Sequence, residues 1–195
     1  MRVRLAALAL VVALGGCRTL PVPPPADLAE RAALATLSDW HASGRVAVRA
    51  ADQGFSASFD WREQGGRGEL GVHGPFGAGA VRITRSSESV VIDSGDGAPL
   101  AVPAPFDALE PELIARLGFP LPLQSLRFWV LGVPEPGQPA EQAGGEFRQD
   151  GWLVSPSEFQ AVPGAPGPLP GRLVLVREST RIRVVIDQWR VGGGL

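Results

Sequence analysis

From Gly44 onward the apolar residues of this chain recur at every second position, and that period is the strongest constraint on its fold. Phe55, Ala57, Phe59 and Trp61 alternate with Ser56, Ser58 and Asp60, and Val46 and Val48 alternate with Arg45, Ala47 and Arg49. Successive side chains of a strand point to opposite faces, so such runs build an antiparallel sheet with one buried and one wet face. The theme continues over 69–73 and 80–84, where Leu70, Val72, Val81 and Ile83 face inward, and over 89–93. Glycine and aspartate punctuate the gaps, as hairpins require. Further strands are expected over 146–149, 152–155, 158–162, 172–177 and 181–189, the last two joined by a short Glu-Ser-Thr connection.

The period changes to a helical one in two places. Before the first strand, 27–40 reads as a helix, with Asp27 as N-cap and Glu30 three residues on in a capping-box pattern. Midway, 106–117 carries Leu109, Leu113, Ile114 and Leu117 at helical spacing. A second short helix, 122–131, opens on Pro122, which suits a first turn, and gathers Leu126, Trp129 and Val130 on one face. A Pro/Gly-rich loop follows over 132–145. The sum is a mainly β chain of about ten to eleven strands with a helical pair inserted midway. A single antiparallel sheet must bury its apolar face, and the inserted helices are the obvious cover. The sheet can then curl around them into a partial barrel, an architecture that often encloses a ligand cavity.

The N-terminus carries a different signal. Arg2 and Arg4 precede an almost wholly apolar run, Leu5 to Leu14. That run is shorter than the ~20 residues needed to span a bilayer and has the shape of a signal-peptide core. Gly15-Gly16-Cys17 follows directly and resembles the lipobox of bacterial lipoproteins, in which the cysteine is acylated and the preceding segment removed. Cys17 is the one cysteine in the chain, so it has no disulfide to make. Residues 1–16 are therefore read as a signal peptide. Residues 17–25, with the proline cluster TLPVPPP, are read as a lipidated cysteine on an extended tether. Residues 26–191 form one domain and 192–195 a flexible tail. Arg18, where an aspartate commonly signals inner-membrane retention, favours the outer membrane.

Signatures of catalysis are missing. His41 and His73 have no metal-ligand spacing, and no nucleophile elbow or phosphate-binding loop occurs. Glu110 and Glu112 flank Pro111 at a helix start, where carboxylates favour the helix dipole. A net charge of −2 gives no electrostatic case for nucleic acid. No metal or cofactor is implied, and the chain is not read as an enzyme.

Several short segments, in order, carry a family resemblance. Gly44-Arg45 leads into a strand, Phe59-x-Trp61 follows, and then Gly74-Pro75-Phe76-Gly77. The stretch from Leu121 to Pro134 contains P-x-x-x-L-x-x-W-x-x-G-x-P, and Gln149-x-Gly151-Trp152, Leu169-Pro170 and Ile186-x-x-Trp189 come after it. Behind a lipobox, this series resembles the LolB family of outer-membrane lipoprotein receptors over nearly the whole chain. The resemblance implies an incomplete antiparallel β-barrel closed by a helical lid around an apolar cavity. It implies a lipid-anchored protein facing the periplasm and acting as a monomer. Such a protein accepts triacylated lipoproteins from the periplasmic carrier LolA and inserts them among outer-membrane lipids.

Expected cavity-lining residues are Phe55, Phe59, Trp61, Leu70, Val72, Val81 and Ile83 from the strands, joined by Leu113, Leu117, Leu126 and Trp129 from the lid. An apolar inward residue is equally a core residue or a cavity wall, and the pattern alone leaves both open. Phe76, between Pro75 and Gly77, stands in a turn-forming context where a large apolar side chain is unexpected. The family carries there a protruding loop with a hydrophobic residue, typically Leu, that acts on the membrane during delivery. The other reading folds Phe76 back onto the sheet. A structural lipoprotein that binds a protein partner by its sheet edge is the competing function. A hydrolase would need a nucleophile or metal cluster, and a diffusing carrier would not need Cys17.

Overall fold

The computed structural model describes residues 22–25, 28–51, 53–74, 80–95, 97–117 and 119–192. The signal segment, Cys17, Asp27, Pro75, Phe76, Gly77 and the last three residues lie outside them.

Eleven strands form one antiparallel sheet. The first meander runs β1 (Trp40–Ala50), β2 (Gln53–Gln64), β3 (Arg67–His73), β4 (Val81–Arg85), β5 (Ser89–Asp93) and β6 (Leu100–Pro103). The second runs β7 (Glu141–Ala143), β8 (Glu146–Gln149), β9 (Trp152–Ser157), β10 (Arg172–Arg177) and β11 (Thr180–Val191). The order across the sheet is β6-β5-β4-β3-β2-β1-β11-β10-β9-β8-β7. First and last strands thus meet at the centre, while β6 and β7 are the two unpaired edges. Between those edges the chain forms a 3₁₀ turn, Phe106–Ala108, then α2 (Leu109–Leu117) and α3 (Leu123–Trp129). The helical pair therefore carries the chain from one open edge to the other, which makes the architecture an incomplete barrel under a helical cover.

The central seam explains the first family motif. β1 pairs with β11 from Trp40↔Val191 to Ala50↔Thr180, with a shift between Ser43↔Gln188 and Gly44↔Ile186. Asp187 is the extra residue of this bulge. A Cβ on residue 44 would sit 2.0 Å from the Val185 carbonyl oxygen, so only glycine lets the strands approach here. Arg45, next along, donates to the bulged Asp187 at 3.0 and 3.2 Å.

Three expectations shift. The first helix, α1 (Leu28–Ala35), stops well before residue 40. Thr36, Ser38 and Asp39 are poor helix formers, and Trp40 instead opens β1, its ring tilted 5.2 Å from Trp61 and edge-on 5.5 Å from Trp189. Residues 158–162 are not a strand. They make a single bridge, Gln160↔Leu169, because Glu158 has φ +56° and breaks the extended run. Conversely, β6 and β7 are too short, and β7 too exposed, to leave a period in the sequence.

Candidate apolar cavity under the helical lid

The inner face of β1–β4 and β11 does not pack solidly against the helices. It encloses a cavity of about 420 Å³. Phe55, Phe59, Trp61, Leu70, Val72, Val81 and Ile83 stand along its sheet wall. Trp61, Leu70 and Ile83 are cross-strand neighbours in one row, and Phe59, Val72 and Val81 form the next. Phe55 stands further along β2, opposite Val48. Because the side-chain period is two, the register that buries one of these residues buries the whole set on the same side. Leu126 of α3 closes the cavity from above.

The lid residues divide. Leu113 and Trp129 are almost fully buried, at 1% and 0% exposure, but neither lines the cavity. Trp129 faces the other way on α3, with its ring 6.4 Å from Phe147 and 6.3 Å from Trp152. Its indole N–H donates to Gln149 Oε1 at 2.7 Å. The same buried amide accepts from the Glu135 N–H (2.8 Å) and donates to the carbonyls of Glu135 (3.0 Å) and Gln138 (3.3 Å). One fully satisfied side chain thus ties α3, the loop after it and β8 together. Gly132, with φ +81°, ends this helix, and a Cβ there would meet Pro170 at 3.0 Å. The W-x-x-G and Gln149-x-Gly151-Trp152 motifs are therefore parts of one joint. Leu117 lies in α2, and its side chain is outside the described residues.

The rest of the apolar wall comes from Val46, Val48, Ala57, Ile182 and Val184 on the strands, and Phe119, Leu121 and Val130 from the helical segment. The strand members carried the same two-residue period, which could have found them. Phe119 and Leu121 sit in the α2–α3 connection, where no periodicity marks a wall.

The cavity has an open and a closed end. Phe55 is 46% exposed, whereas Phe59 and Trp61 are 6% and 5% exposed. The mouth is therefore at Phe55, whose ring lies 5.8 Å from Phe119 across the sheet-to-lid gap. Gly74, the residue preceding 75–79, lines the same cavity. At the closed end the Trp61 indole donates to Glu63 at 3.1 Å. The other Glu63 oxygen accepts from Arg85 at 2.6 Å, with both partners largely buried. Arg127 of α3 lies near this pair. Burial, and then the Arg85 charge, lower its pKa, while Glu63 and Glu135 act in the opposite sense. Ionisable groups are thus confined to the sealed end, and apart from Ser56 the side chains of the cavity offer a ligand only hydrocarbon and aromatic surface. His41 is engaged elsewhere, 2.6 Å from Asp60, and His73 closes β3.

Residues 38–189 match the family model described as Outer membrane lipoprotein LolB. The outer-membrane lipoprotein LolB of Alkalilimnicola ehrlichii is 35% identical over 96% of this chain and 96% of its own length. That of Halorhodospira halophila is 34% identical over 95% and 93%. Among solved structures, a LolA superfamily protein from Nitrosomonas europaea shares the fold, with a TM-score of 0.52 at 7% identity, covering 86% of this chain and 94% of that one.

Proposed function

The chain belongs to the outer-membrane lipoprotein LolB family, and on that premise we propose that it is a receptor that accepts lipoproteins from the carrier LolA and inserts them into the outer membrane. The observation that supports this reading most directly is the open, almost wholly apolar cavity. A 16-carbon acyl chain costs on the order of 12 kcal/mol to hold in water, at about 0.8 kcal/mol per CH₂. A protein that passes such chains must bury them nearly as well as a membrane does and still release them. A one-ended cavity with a half-exposed aromatic at its mouth suits both requirements, and no covalent step is needed.

In this reading Cys17 carries the acyl anchor after residues 1–16 are removed, and the segment around it tethers the domain to the outer membrane. The acyl chain of the cargo enters past Phe55 and Phe119 and runs between the Phe59 and Trp61 rows and Leu126. Phe76, flanked by Pro75 and Gly77, follows directly on Gly74 of the cavity wall and acts on the bilayer during release. Apolar side chains at a lipid interface are stabilised by the same burial that drives anchoring.

The deciding experiment mixes the mature chain carrying Cys17→Ser with LolA loaded with a triacylated lipoprotein. Co-purification of the lipoprotein with this chain is the expected result. Retention on LolA while both proteins are folded would overturn the proposal. A second variant, Phe76→Glu, is expected to keep its unfolding midpoint and its acceptance of the lipoprotein but to lose delivery into vesicles. Equal loss of all three would remove the insertion role from Phe76.

A further inference from the structure

The outer face of the sheet, behind the cavity wall, carries a group of three exposed arginines with no ion pair among the described residues. Arg181 and Arg183 project outward from β11, alternating with Ile182 and Val184, which line the cavity. Arg49 of β1 is directly opposite Arg181, and Arg183 is opposite Ala47. All three side chains are exposed. Like charges placed directly across a strand pair destabilise it, so this arrangement works against the central seam of the sheet. Asp187 of the same strand is engaged with Arg45, and the turns flanking the patch carry Glu178 and Asp52, the latter outside the described residues. Among the described residues, Arg49, Arg181 and Arg183 have no ion-pair partner.

We propose that this outer face, at Arg49, Arg181 and Arg183, docks on the phosphate groups of anionic phospholipids and sets the orientation of the domain on the membrane. The proposal rests on the receptor reading for its setting. One feature favours a lipid surface over an acidic protein. Arg49 and Arg181 stand one residue from the strand ends Ala50 and Thr180. This is the end of the sheet toward which β3 runs to reach Gly74. A surface that meets this end can therefore meet the patch. The guanidinium fork matches phosphate oxygens in two-point hydrogen bonds, and exposed arginines near an anionic surface act together within a Debye length.

The test uses the mature chain with Cys17→Ser, so that no acyl anchor masks the contact. Binding is measured by co-sedimentation with vesicles of phosphatidylcholine alone and of phosphatidylcholine with phosphatidylglycerol, at low and at high salt. The expected result is preferential binding to the phosphatidylglycerol vesicles that weakens as salt rises. The triple variant Arg49→Gln, Arg181→Gln, Arg183→Gln should lose that preference by tenfold or more, since each basic side chain near an anionic surface contributes roughly a factor of five. The corresponding triple lysine variant should keep most of it. Uptake of a fluorescent fatty acid is measured in parallel and should be unchanged in every variant. Equal phosphatidylglycerol binding by parent and triple glutamine variant would overturn the proposal. So would a parent that binds the two vesicle compositions equally. Failure of fatty-acid uptake in the parent, with vesicle binding intact, would instead count against the receptor reading.

Discussion

The two faces of α3 look alike in sequence and do opposite things. Leu126 and Val130 look onto empty space above β2–β4, whereas Trp129 is locked against Phe147 and Trp152 and hydrogen-bonded to Gln149. On the second face the Trp129 indole N–H and all four hydrogen-bonding positions of the Gln149 amide have partners, and the Trp152 indole N–H alone of the joint is buried without one. On the first, the side chains line a wall with no atoms beyond it. The lesson is that the helix is held by one face so that the other can remain unfilled. A lid fastened by the cavity side would have to collapse into it, because contacts across a gap forfeit their dispersion energy.

That contrast can be broken from the solid side first. Trp129→Ala removes the indole from a closely packed site and leaves the Gln149 amide short of a donor. Its expected cost is about 3–5 kcal/mol, read from urea unfolding. Fatty-acid affinity per folded molecule should move only a few-fold. A large, selective loss of affinity would mean that the joint and the cavity are not separate after all.

Filling the hollow side should give the reverse pattern. Ala57 is a small wall residue on β2, and Ala57→Phe places a ring in the cavity. Fatty-acid affinity should fall at least tenfold, which is about 1.4 kcal/mol. Stability should stay within about 1 kcal/mol of the parent, because overpacking penalties of 1–3 kcal/mol belong to cores without free space. A severely destabilised Ala57→Phe chain would indicate that the space closes in solution.

The smallest effect sharpens the same point. Leu126→Ala truncates a residue that already faces a void, so it should cost about 1 kcal/mol. Buried leucines in solid cores lose ~2–5 kcal/mol on the same change. If urea unfolding places Leu126→Ala in the upper part of that range, Leu126 is packed against more than its position in the wall suggests.

Much of this molecule is written in local pattern. The alternation Phe55-x-Ala57-x-Phe59-x-Trp61 dictates which residues share the inner face, and the pairing Phe59↔Val72↔Val81 follows once hairpins connect the strands. The helical spacing of Leu109 and Leu113 and the proline before α3 marked the insert. Period is a property of neighbouring residues, so it survives in a single sequence. What lay beyond it came from contacts distant along the chain. The meeting of β1 with β11, the bulge that makes Gly44 obligatory, and the Gln149 joint each bring together residues that no local period links. Cavity and core are the sharpest case. Leu126 and Trp129, three residues apart and both apolar, received one expectation and met two fates. Burial preference records only that a side chain leaves water, and whether it then meets atoms or a void is decided by the packing of the whole sheet against the helices.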